Sequence, residues 1–180
     1  MNVLGNSAMT IPGDILAQAA LTLVGIFVGT LAALATDRRN EQRQVRRRAR
    51  VILRSLLQEL CDNATVLQNV KPSYTGTPWG RSFYLSTIAW ETALAGGDLP
   101  SVIGFELADL IAAQYALFVR IRYHVDLLTR LWLAPADIEG YEEIQRGFRG
   151  AIVEAMNQAI SRHAGVVERI NEHPSAGFLD

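Results

Sequence analysis

The segment ILAQAALTLVGIFVGTLAALAT at residues 15–36 decides the fold, and DRRNEQRQVRRRAR follows it directly at residues 37–50. No charged side chain interrupts the first segment. An α-helix rises about 1.5 Å per residue, so this apolar run is long enough to cross the roughly 30 Å hydrocarbon core of a membrane. The sequence therefore predicts one transmembrane helix over residues 15–36, preceded by a short extracytoplasmic segment over residues 1–14.

The arginines after the span predict its orientation. Cytoplasmic flanks of membrane helices carry an excess of basic residues, whereas no basic side chain precedes this span. A cleaved signal peptide would instead need positive charge before a shorter apolar core. We therefore expect a single-pass protein of the inner (plasma) membrane, with its amino terminus outside and its carboxy-terminal domain in the cytoplasm.

The same arginines predict contact with membrane lipids. A basic residue close to the surface adds about 1 kcal/mol to the binding of anionic headgroups. Nucleic-acid binding is not expected, since it would need a basic face with stacking aromatic side chains, and this segment has none. Recognition of a protein partner is the remaining alternative. The residues assigned to topology and anionic-lipid binding are Arg38, Arg39, Arg43, Arg46, Arg47, Arg48 and Arg50.

Small residues within the span predict helix association. Gly25 and Gly29 form a GxxxG element, and Ala33 extends the small stripe by one turn. Two helix backbones can approach closely along such a face, so a homo-oligomer is expected. Small residues that simply face lipid are the alternative, because GxxxG is frequent in transmembrane helices.

The composition of the remaining chain favours one domain. Roughly 140 residues follow the span, which is enough for a single hydrophobic core. Outside residues 37–54, nine basic side chains stand against sixteen acidic ones, so the basic surface is local. Cys61 is the only cysteine, which excludes an intramolecular disulfide and a cysteine-rich metal site.

Helical periodicity organises everything after residue 36, and no stretch alternates with period two. The part of this segment before Val51 is almost wholly polar. Residues 37–52 are therefore predicted to form a basic juxtamembrane stalk, residues 53–173 the domain, and residues 174–180 a tail. The predicted fold class is all-α, with the transmembrane helix continuing into a cytosolic antiparallel helical bundle of about four helices, one of them short.

Proline and glycine set the expected helix ends. The first helix should end before Lys71–Pro72, where a loop runs to Gly80. A short apolar helix should begin near Ser82 and stop at Gly96–Gly97. The third should be capped by Asp98, break at Gly104 and end near Leu133, and the fourth should follow residues 134–137 and end at His173–Pro174.

Apolar positions along these helices predict the core. The expected stripes are Leu53, Leu56 or Leu57, Leu60, Ala64, Leu67 and Val70; then Leu107, Leu110, Ile111, Gln114, Tyr115, Phe118, Ile121, Val125 and Leu128; then Ile138, Tyr141, Ile144, Phe148, Ile152, Met156, Ile160, His163, Val167 and Ile170.

The order of these features resembles a loose group of uncharacterised bacterial single-span membrane proteins. The resemblance rests on the span, the arginine-rich stalk with LLQEL at residues 56–60, STIAWETAL at residues 86–94 before a glycine turn, and Leu110 and Tyr115 in the following helix. These are packing patterns, and they imply a bacterial inner-membrane protein without activity or site residues to carry over.

No reactive constellation is expected. The chain has no phosphate-binding glycine loop and no HExxH, and isoleucine stands three residues before each histidine, which excludes the Glu-x-x-His pairs of a di-metal bundle. His124 is expected on a solvated face and His163 on the core stripe. The acidic residues Glu91, Asp98 and Glu106, with neighbouring Asp109, could bind a metal, but helix capping and exposure also explain them.

These observations predict a non-enzymatic, membrane-tethered helical module that associates with itself or with a protein partner at the cytosolic membrane face. Neither a cofactor, a metal nor a catalytic residue is expected. The alternative is a ligand-sensing or regulatory membrane protein, which would need a small-molecule pocket of several hundred cubic ångströms between helices.

Overall fold

A computed structural model describes residues 13–76, 82–97, 99–133 and 140–176, with side chains from residue 21 onward, and these residues contain five helices. The described residues contain no strand, so the predicted all-α class is confirmed for them. The antiparallel bundle and the membrane location stay predictions. The helices are α1 Gly13–Gly76, α2 Ile88–Ala95, α3 Leu99–Ile103, α4 Phe105–Leu133 and α5 Tyr141–Asn171.

The chain divides into two compact units, Met1–Gln44 and Val45–Asp180. In the first unit every side chain from residue 21 to residue 44 is exposed, including large apolar ones such as Leu21 and Phe27, at 72% and 66% exposure. Among the described residues, α1 is the one helix whose length and composition would allow it to cross a membrane.

The second unit encloses the hydrophobic core, which draws side chains from all five helices. The predicted stripe of α1 is confirmed, because Leu53, Leu56 and Leu60 are fully buried and the stripe continues through Ala64 and Leu67, except that Val70 is only partly buried. The α4 stripe is also confirmed, except that Leu110 is only partly buried.

The end of α1 differs from the prediction. The helix passes through Pro72 to Gly76, so the first six residues of the predicted loop are helical. Proline removes one helical hydrogen bond. Tertiary contacts secure the last turn: Tyr74 is buried with its ring edge-on to Phe83 at 5.9 Å, and Arg149 donates a hydrogen bond to the Tyr74 carbonyl at 3.1 Å.

α4 and α5 contact each other in opposite chain order, so that residues early in α4 contact residues late in α5. Glu106 lies 3.7 Å from Arg169, the Gln114 amide donates to the Ala159 carbonyl at 2.9 Å, and the His124 and Phe148 rings lie 6.2 Å apart.

The buried face of α5 differs in detail from its predicted stripe. Ala155, Ala159 and Val166 are buried, whereas Ile144 is 41% exposed and Val167 is only partly buried. A spacing of four residues drifts by about 40° per step on a helix of 3.6 residues per turn, so a long run of such steps leaves the core face.

Two glycines with a left-handed backbone conformation lie at the ends of the short helices α2 and α3. Gly97 has a φ of 74° after α2, as expected for a helix-ending glycine, and Gly104 has a φ of 84° between α3 and α4, which confirms the predicted break. Asp98 and residues 134–139 lie outside the described residues. Past α5, Ala176 of the predicted tail is buried and donates its backbone N–H to the His173 carbonyl at 2.7 Å.

Candidate functional site

Glu59 is a buried carboxylate that joins three helices. It lies on α1, and its oxygens accept hydrogen bonds from the Ser86 hydroxyl at 2.5 Å and from the Tyr115 hydroxyl of α4 at 2.6 Å. They also accept the backbone N–H groups of Ala89 and Trp90, at 3.0 and 3.4 Å. Those N–H groups lie in the first turn of α2 and have no partner within that helix. Glu59 therefore caps α2 from another helix.

Asn63, one turn further along α1, holds the segment before α2 in place. Its amide donates to the Ser86 carbonyl at 2.7 Å and its side-chain oxygen accepts the Ser86 N–H at 2.9 Å. Asn63 is buried, and both ends of its amide are engaged by the Ser86 backbone.

These two side chains explain why α2 begins later than predicted. Residues 82–87 are not helical, and α2 starts at Ile88 and not near Ser82. The backbone of Ser86 is engaged by Asn63 from α1, and the Glu59 cap defines the first turn. The pairs are 23 to 31 residues apart in the chain, so local helix propensity could not indicate them.

The hydrogen bonds determine the electrostatics of this cluster. Burial alone would raise the pKa of Glu59, but the four donors outweigh burial and the pKa is lowered below its usual 4.5. The pKa of Tyr115 is raised strongly, by burial first and then by its bond to the Glu59 carboxylate. Glu59 is thus ionised and its partner phenol neutral at physiological pH. The Trp90 ring stacks on Tyr115 with centroids 5.1 Å apart.

A groove runs beside this cluster between α1 and α2. Its cavity volume is about 710 Å³, within the usual range for ligand pockets. One wall is formed by α1 from Val51 to Asp62, and the other by α2, where Ala89 and Ala93 leave the space open. A second recess of about 460 Å³ shares Val51 and Ala93 with it and extends the groove to Leu99 and Val102 of α3.

Charge is unequal along this groove. Arg47, Arg48 and Arg54 line it, are exposed, and make no hydrogen bond or ion pair with any residue that the structure describes. On the acidic side, the Glu59 oxygens are occupied by protein donors, and Asp62 accepts the Gln58 amide at 3.0 Å. The groove thus combines an apolar surface with a basic end.

The predicted association stripe lies open. A Cβ atom placed on Gly25 or Gly29 would meet nothing within 4 Å, and Ala33 is exposed. The arginines assigned to lipid binding are also exposed, but Arg50 has a protein contact that the sequence did not indicate. Its Nε donates to the Ser175 carbonyl at 3.5 Å.

The acidic residues and histidines that were candidates for metal binding or catalysis do not form a cluster in the structure. Among the described side chains, no group of three or more His, Cys, Asp or Glu could hold a metal ion. Glu91 accepts the Thr87 hydroxyl at 2.6 Å and Glu106 faces Arg169, whereas Asp98 is outside the described part. Burial lowers the pKa of His163, and burial together with Arg120 lowers that of His124.

Comparison of the chain with protein-family models, with curated proteins and with solved structures finds no match. The resemblance to bacterial single-span proteins therefore stays a prediction.

Sequence reasoning missed Glu59. The available signal was a glutamate and an asparagine four residues apart, each next to a leucine or alanine of the core stripe, in LLQELCDNA at residues 56–64. Polar side chains at the edge of a buried stripe need partners from another element.

Proposed function

We propose that this chain is a single-span protein of the inner membrane whose cytosolic helical bundle works by association, either with a second copy or with a protein partner. The amino terminus is outside and the arginines bind anionic headgroups at the cytosolic face. The bundle is formed by the second half of α1 together with α2 to α5.

One observation carries this proposal: the contrast between the two halves of α1. Residues 21–36 expose large apolar side chains, whereas Leu53, Leu56 and Leu60 are fully buried in a core. Exposing so much contiguous apolar surface to water is unfavourable, and such a patch marks a membrane or protein contact. The arginines that begin at Arg38 separate the two environments.

Association through the span gives the first testable outcome. Replacing Gly25 and Gly29 with leucine should lower the oligomer fraction by about tenfold at fixed protein-to-lipid ratio, because the helices can no longer approach closely. Neither leucine would clash within its own chain at the Cβ position. Energy transfer between labelled copies in liposomes measures the change.

Phe27→Leu with Leu34→Ile is the matched control. At about 100° per residue, both positions lie opposite the glycines on the helix, and both stay apolar. This control should associate like the parent chain. An unchanged oligomer fraction in the glycine double variant would remove the span from the proposal and leave association to the cytosolic unit.

A second candidate function is ligand sensing, and the groove between α1 and α2 favours it. Its volume of about 710 Å³ meets the requirement of a pocket between helices. A ligand there would contact α2, whose position depends on the bonds of its first turn to Glu59. Ligand binding and helix placement would thereby be linked.

A further inference from the structure

We propose that the groove between α1, α2 and α3 binds a single-chain amphiphile with an anionic head group, such as a long-chain fatty acid. The acyl chain lies along the apolar walls and the head group is held at the arginine end. This proposal deepens the ligand-sensing candidate and rests on it.

The groove is elongated. The part of α1 that lines the larger cavity, Val51 to Asp62, rises about 17 Å, and the second recess extends the groove to Leu99 and Val102 of α3. An extended acyl chain can follow a groove of this length.

The lining of the groove selects an apolar chain. Ile52 on α1, Ala89 and Ala93 on α2, and Leu99 and Val102 on α3 supply the walls. Val51 and Ile88, which also line it, stay 67% and 65% exposed. Removing this surface from water favours a hydrocarbon chain, and each buried methylene should strengthen binding up to about fourfold.

The charges select an anionic head group. Arg47, Arg48 and Arg54 have no acidic partner among the described residues. Arginine binds carboxylate and phosphate oxygens in a bidentate manner. At the other end, the side chains of Glu59 and Asp62 line the groove, and these acidic groups would repel an anion there. The head group therefore lies at the arginine end.

The test uses the full-length protein in nanodiscs of zwitterionic lipid and a palmitate analogue with a photoreactive diazirine in mid-chain. We expect cross-links to peptides from residues 51–58 and 88–96, competed by palmitate. Arg47→Gln, Arg48→Gln and Arg54→Gln together should weaken binding by about tenfold to a hundredfold. The matched triple change Arg122→Gln, Arg130→Gln and Arg162→Gln, at exposed arginines that do not line the groove, should leave it unchanged.

A second variant pair tests the position of the chain. Thr92 is exposed and lines the groove, so Thr92→Trp should fill it and abolish specific cross-linking. Leu94 is also exposed on α2 but does not line the groove, and Leu94→Trp should have no effect. Circular dichroism of each variant verifies that the helices are retained.

Four results would overturn the proposal. If the neutral glycerol ester of palmitate competed with the cross-linking as well as palmitate does, the groove would bind a ligand without anion selectivity. Ligand sensing would then survive, and this inference would fail. Cross-links confined to residues 15–36 would show only partition along the span. The absence of specific cross-links would overturn both. A disulfide between copies carrying Ser55→Cys in a Cys61→Ser chain would show that a second copy covers the groove.

Discussion

Among single residues, Glu59 is a buried polar side chain whose replacement should destabilise the protein. Its carboxylate is buried and accepts four hydrogen bonds from three separate parts of the chain. Glu59→Gln keeps the shape but places an amide N–H₂ against protein donors. We expect a loss of about 2 to 3 kcal/mol in the free energy of unfolding, as for bonds to a charged group. Urea denaturation in mild detergent measures it.

The control for this variant is Asp109→Asn on the exposed face of α4, which should change the free energy by less than about 0.5 kcal/mol. Hydrogen exchange supplies a local reading, since the amides of Ala89 and Trp90 should lose protection in Glu59→Gln. Unchanged protection of these two amides would show that Glu59 does not cap α2. The lowered pKa of Glu59 also means that its contribution is complete above about pH 4.5 and is lost at lower pH.

His163 predicts acid sensitivity in a different pH window. Burial lowers its pKa below the usual 6.5, so below that pH the unfolded chain binds a proton that the folded chain does not. Stability should therefore decrease as the pH falls below about 6.5, by at most about 1.4 kcal/mol per pH unit for one proton. His163→Gln should show a shallower decrease in urea denaturation. Equal slopes in both proteins would exclude His163 as a cause.

Residue periodicity predicted most of the core but not its polar contacts. Leu53, Leu60 and Phe118 follow directly from helical spacing, because that pattern is local. Glu59 and Tyr115 are 56 residues apart, and their bond depends on how α1 and α4 are placed. A single sequence contains the donors and acceptors but not their pairing.

At the scale of helices, the glycines predicted the helix ends correctly, whereas the proline did not. The turns at Gly97 and Gly104 occur as predicted, because a positive φ is strongly disfavoured for other residues. Pro72 did not end α1, because burial of Tyr74 and its bond to Arg149 offset one missing hydrogen bond. A residue that usually ends a helix, such as proline, can be accommodated within the helix where tertiary packing stabilises a further helical turn.

Two glycine substitutions test this interpretation with opposite signs. Neither Gly104 nor Gly147 has an atom within 4 Å of an added Cβ, so conformation alone separates them. Gly104→Ala should destabilise the protein by about 1 to 2 kcal/mol because of its positive φ. Gly147→Ala, within α5, should stabilise it by up to about 1 kcal/mol. The same sign for both in thermal unfolding would contradict a conformational origin.

At the scale of the whole molecule, the sequence predicts where the protein is located better than it predicts what the protein does. Apolar length and the arginines after it suffice to predict a span and its orientation, because both are properties of local composition. The groove depends on where α2 and α3 lie beside α1, and small side chains such as Ala89 and Ala93 gave no signal of it. A ligand site that consists of the empty space between side chains is hard to predict from sequence.

The central claim, a span with its domain in the cytosol, is tested most directly by cysteine labelling in intact cells. Cys61 is the only cysteine, so a Cys61→Ser chain provides an unlabelled background for Ser7→Cys and for Asn69→Cys on the exposed side of α1. With a membrane-impermeant maleimide, we expect Ser7→Cys to be labelled at once and Asn69→Cys only after permeabilisation, with both chains retained in alkaline-washed membranes. Labelling of Asn69→Cys in intact cells, or release of the chain by the alkaline wash, would contradict the claim.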